Sequence, residues 1–113
     1  MREYLIRCTS GDWFNFKGLV LADILRPNSI PSTDATGSGY GDHIISVGDS
    51  FISYSYEDPG IQACVDGDLA DEMADRVIRE VAANLASATG QGAKVILISH
   101  EVFGANSHCR PHS

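Results

Sequence analysis

The residues of this chain best equipped for chemistry lie at its carboxyl end and around one central histidine. His100, His108, Cys109 and His112 are metal-ligating types, and the step from Cys109 to His112 is a spacing that some zinc sites use. Structural zinc needs four ligands at defined spacings, and no second anchored pair accompanies this one, so the expectation is an exposed polar tail without a metal. Cys109 between His108 and Arg110 could also become a reactive thiolate, since neighbouring cations lower a thiol pKa. His43 follows Asp42, an order in which a general base has a carboxylate to orient it. The competing reading of His43 is a histidine at the edge of a core, satisfied by a tyrosine hydroxyl. Serines at 46, 50, 53 and 55 are plentiful, yet none stands in a Gly-x-Ser-x-Gly elbow. The glycine-rich run 37–41 has the composition of a phosphate cradle but no helix after it to hold an anion. No catalytic residue is assigned, and the expectation is a protein that is not an enzyme and carries no cofactor.

A second kind of candidate is a surface. Asp66, Asp68, Asp71, Glu72 and Asp75 form a local acidic cluster, with Glu57 and Asp58 shortly before it. The alternating ligand pattern of a calcium loop, closed by a bidentate glutamate, is absent. Either these carboxylates are a solvated helix start, or they are an acidic patch offered to the lysines and arginines of a partner protein. Phe51 and Ile44, the large apolar residues on an otherwise polar strand face, would supply the anchors that charge alone lacks.

Composition narrows the partner. In 113 residues there are 15 acidic and 8 basic side chains, a formal net charge of −7, which repels phosphate backbones and anionic membrane surfaces. Nucleic acid and membrane are therefore not expected as partners, and a basic protein is. A hydrophobic share of 43% and a charged share of 20% are those of a globular protein, with no apolar run long enough for a membrane helix. The amino-terminal segment holds only Leu5-Ile6 as an apolar core, too little for a secretory signal. Three cysteines without a close pair fit a reducing compartment, so the expected location is cytoplasmic.

The elements that must position these groups follow from periodicity and turns. Residues 2–8 alternate as a strand, and Leu19 to Leu25 is an apolar run read as a second one. A loop then begins at Arg26 and ends at Asp42. Gly48-Asp49 is a two-residue hairpin loop that sets Ile45 opposite Ile52 and His43 opposite Tyr54. Asp58-Pro59-Gly60 turns the chain again, so that Tyr56, Tyr54 and Ile52 oppose Ile61, Ala63 and Val65. Ile45, Val47, Ile52, Tyr54, Tyr56, Ile61, Ala63 and Val65 then share one face, with Ser46, Ser53, Ser55, Gln62 and Cys64 on the other.

From residue 69 the period changes to that of a helix, through Leu69, Met73, Val77, Val81 and Leu85, with Asp66 or Asp68 placed to cap it. Gly90 and Gly92 end it, and Lys94 to Ser99 is a last strand apolar enough to lie inside the sheet. The expected fold class is α+β: an antiparallel sheet of five or six strands with one long amphipathic helix packed on one face, in the order β-β-β-β-β-α-β. Residues 1–99 would form a single domain and 100–113 a tail.

The functional expectation is a small acidic inhibitor that binds a protein, such as an immunity protein neutralising a toxin or effector by covering a basic surface. The alternatives are a small enzyme or ligand-binding domain that uses His43 and the 26–42 loop, and a homodimeric structural module.

Overall fold

The computed structural model describes residues 2–37, 41–57 and 60–99. Their chain order is β1 (Arg2–Cys8), α1 (Leu21–Ile24), β2 (Thr33–Asp34), β3 (His43–Val47), β4 (Ser50–Glu57), β5 (Gly60–Asp66), α2 (Asp71–Thr89) and β6 (Ala93–Ser99). The six strands make one antiparallel sheet in the order β2-β3-β4-β5-β1-β6. The fold is α+β with one main helix on one face of this sheet.

Turn chemistry fixes the central register. Gly48 takes φ +60°, which a side chain would oppose, and the hairpin it closes pairs Ile45 with Ile52 and His43 with Tyr54. Beyond the next turn Tyr56, Tyr54 and Ile52 pair with Ile61, Ala63 and Val65. Because side chains alternate between faces, this pairing places Ile45, Val47, Ile52, Tyr54, Ile61, Ala63 and Val65 together in the core. Tyr56 shares their face but is substantially exposed near the sheet's margin.

β5 and β6 run parallel, since each is antiparallel to β1, which lies between them. α2 is therefore the crossover of a β-α-β unit whose central gap is filled by the first strand of the chain. The β5–β1 contact is close: a Cβ on Gly60 would stand 2.1 Å from the carbonyl oxygen of Ile6. α2 lays Ala74, Val77, Ile78, Val81, Ala82 and Leu85 against the sheet and ends at Gly90. Neither Asp66 nor Asp68 caps it; Ala70 occupies the cap position, with no side-chain hydrogen bond there.

The run 19–25 is not a strand. Residues 21–24 form a single helical turn, in which the Leu25 amide donates to the Leu21 carbonyl at 2.9 Å. Helical spacing brings Leu21, Ile24 and Leu25 onto the core together, while both edges of β1 are already taken by β5 and β6. The short β2 inside the 26–42 loop supplies the remaining strand. That loop is anchored to α2: the Ser29 amide donates to Glu80 Oε1 at 2.8 Å, and Asn84 Nδ2 donates to the Arg26 carbonyl at 3.0 Å.

β6, expected inside the sheet, is an edge strand. Its apolar character does not correspond to burial on both sides, and Ile96, Leu97 and Ile98 remain substantially exposed.

Candidate functional site

Phe51 stands on β4, on the sheet face away from α2, with Ser46 of β3 and Asp66 of β5 as its cross-strand partners. The residue is 42% exposed. A phenyl ring held on a rigid central strand is an entropically inexpensive contact, because its position does not have to be ordered on binding. Asp49 lies in the adjoining hairpin turn, and Gly67, which follows Asp66, packs against Ser50. Asp68 and Glu72 are exposed beyond it.

Ile44 is not a second anchor. It is 2% exposed, and its backbone is held at the sheet margin by the segment after β2: the Ala35 amide donates to the Ile44 carbonyl at 2.7 Å, and the Ile44 amide donates to Thr36 Oγ1 at 3.2 Å. Asp34 stabilises that turn by accepting from the Thr36 amide and hydroxyl, and those bonds hold its carboxyl below the usual range. The chain passes close over Ser53 at Gly41, so Ser53 is buried as well. On the same face Gln62 and Glu3 are buried, with Gln62 Nε2 donating to Glu3 Oε2 at 3.0 Å. This face, expected to be a polar solvated surface, is thus largely enclosed, which leaves Phe51 as its exposed apolar feature on β4.

The carboxylates at the start of α2 are not equivalent. Arg2 reaches from β1 to Asp75 Oδ1, its Nε and Nη2 donating at 3.1 and 3.0 Å, and its Nη1 lies 3.4 Å from Asp71 Oδ2. Tyr4 donates its hydroxyl to the same Asp75 oxygen, while Arg2 Nε lies 2.6 Å from the Tyr4 oxygen. These bonds hold the Asp75 carboxyl below its ordinary value, chiefly through Tyr4 and then Arg2, and burial pushes the Tyr4 hydroxyl up. Asp75 and, more loosely, Asp71 are therefore engaged in joining α2 to β1. Of the side chains spaced for ion pairs along α2, Arg76 and Glu80 meet at 3.2 Å, whereas Asp75 turns to β1.

This cluster was missed in the sequence, although its signal was there. Arg2 and Tyr4 alternate onto one strand face, Asp71 and Asp75 are one helical turn apart, and a helix crossing β1 brings the two pairs together. Beside them runs a groove between α2 and β6. One part, of about 210 Å³, is lined by Arg2, Tyr4, Asp75, Arg79, Val95 and Leu97. The next, of about 400 Å³, shares Arg79 and Val95 and is floored by alanines.

The arrangement around His43 does not support a base with an orienting carboxylate. Asp42 Oδ2 accepts from the Tyr56 amide at 3.0 Å, and His43 Nε2 lies 3.4 Å from the Tyr56 hydroxyl. The His43 ring meets Tyr56 edge-on at 6.3 Å, and the Tyr56 ring in turn lies tilted against Phe16 at 5.7 Å. His43 is thus part of an aromatic margin, close to the reading of a core-edge histidine satisfied by a tyrosine.

His100, His108, Cys109 and His112 lie outside the described residues. Among the described residues, no three His, Cys, Asp or Glu side chains converge to hold a metal ion. Cys8 is a buried free thiol whose pKa burial raises, whereas Cys64 is disulfide-bonded, contrary to the expectation of cysteines kept reduced. Among the described residues no helix is long and apolar enough to cross a membrane. Compared with known proteins, the chain matches no family model, no curated protein and no solved structure, so the geometry of its own residues carries the functional reading.

Proposed function

We propose that this chain is a protein-binding inhibitor that docks on a basic partner, as an immunity protein does on a toxin or effector, and that it has no catalytic role of its own. The observation that carries this reading is the exposed ring of Phe51, fixed on a central strand opposite Asp66. A rigid aromatic with carboxylates around it is the chemistry suited to an arginine- or lysine-rich surface: the ring supplies apolar area and a cation-binding face, and the charges steer the encounter. Asp68 and Glu72 supply exposed charge, while Asp71 and Asp75 are partly occupied by Arg2. The cytoplasmic location belongs to this proposal, and the disulfide at Cys64 is the observation that weighs against it.

The test is affinity capture from the source cell at low ionic strength, followed by mass spectrometry. The expected result is one basic protein at stoichiometric ratio, lost with Phe51→Ala. Capture that is indifferent to Phe51 would remove this surface from the account.

A further inference from the structure

We propose that β6 pairs antiparallel with β6 of a second copy of this chain, joining the two sheets into one of twelve strands, twice the six of a single copy. The two edges of the sheet are built in opposite ways. β2 spans two residues, Thr33 and Asp34, both polar and exposed, and so offers little backbone to a passing strand. β6 spans seven, contains no proline and carries a single charge, Lys94. Ile96, Leu97 and Ile98 are 37%, 44% and 39% exposed, so apolar surface is open on both faces of the strand. The only irregularity is a bulge at Ile98, where Glu3 pairs with Ser99 and Tyr4 with Leu97. It leaves residues 93–97 as a regular edge whose outward backbone groups are unpaired among the described residues.

A second copy suits this edge better than an arbitrary strand for two reasons. An antiparallel β6 pair centred on Val95 sets Lys94 opposite Ile96 of the second copy, and one centred on Ile96 sets it opposite Ile98. Neither register opposes like charges, so the strand is self-complementary. The helices also fit. A twofold axis perpendicular to the joined sheet keeps both α2 helices on one face. α2 packs over β1 and β6, and with strands about 4.8 Å apart the two helix axes fall about 10 Å from each other, near the usual packing distance of 8–10 Å. The flank each would present contains Ala83 and Ala86, small enough for that approach, with Arg79 one turn before Ala83. Phe51 lies three strands away on the other face, so the dimer leaves it open.

Analytical ultracentrifugation of the full chain across a concentration series tests this. The mass should rise from one chain to two, and added salt should strengthen the dimer by screening the −7 charge on each copy, the reverse of its effect on a basic partner. Ile96→Lys with Ile98→Lys should return the protein to a monomer with an unchanged circular dichroism spectrum. In case that variant fails to fold, amide exchange of the wild-type protein gives the same answer, with β6 amides losing protection on dilution. A single-chain mass at every concentration overturns the proposal, as does protection of β6 that ignores dilution. A dimer that survives the lysines with its fold intact overturns it equally.

Discussion

The hydroxyl of Tyr4 donates to Asp75 Oδ1, seventy-one positions further along the chain, and this bond fastens the first turns of α2 to the third residue of β1. It has a consequence for acid stability. The folded protein holds the Asp75 carboxyl below its ordinary value, chiefly through Tyr4, so the stabilisation is present above the unfolded pKa and is lost as pH falls through the folded one. Urea unfolding at a series of pH values should show wild type more stable than Asp75→Asn near neutrality, with the difference shrinking from about pH 4 downward. A difference independent of pH would mean that the carboxylate charge does not matter there. Tyr4→Phe should cost about 1.5–3 kcal/mol, the usual worth of a hydrogen bond to a charged group.

Val81 has no exposed surface and sits in the middle of the α2 stripe against the sheet. Val81→Asp places a charge among Val77, Ile78 and Leu85, a cost of several kcal/mol that is comparable with the whole stability of a domain. The expected result is loss of the cooperative thermal transition. A normal melt would contradict the assigned stripe.

At Gly60 the strands β5 and β1 come too close for a side chain. Gly60→Ala would press a methyl group on the carbonyl oxygen of Ile6. Separating the strands should destabilise the protein by about 1–3 kcal/mol, the range for overpacked sites, seen as a lower urea midpoint. The conformational gain that Gly→Ala gives in open helices has no place here.

Association with a basic partner should slow as salt rises, since the Debye length shrinks from about 10 Å at 0.1 M to about 3 Å at 1 M. Charge reversal should use Asp68→Lys with Glu72→Lys, because Asp75 also holds Arg2 and Tyr4 in place. Surface-plasmon kinetics should then show a lower on-rate for that variant and a higher off-rate for Phe51→Ala. An on-rate unchanged by reversal would separate the acidic cluster from recognition.

Local chemistry in the sequence determined much of the fold. Gly48-Asp49 admits one tight hairpin, and strict alternation then assigns every side chain of β3, β4 and β5 to a face, so those pairings needed no coordinates. The spacing of Val77, Val81 and Leu85 likewise determined the buried side of α2. Tertiary structure alone decided what each face meets. Alternation placed Ile44 away from α2 but could not tell that it would be buried there, and apolarity in β6 could not tell an inner strand from an edge. Run 19–25 became a helical turn because β5 and β6 occupy both sides of β1, a competition among segments distant in sequence. Asp75 passed from the acidic surface to a bond with Tyr4 for the same reason. A periodicity is a property of neighbouring residues, whereas coverage and charge pairing depend on which distant segment arrives, and that is settled only when the whole chain packs.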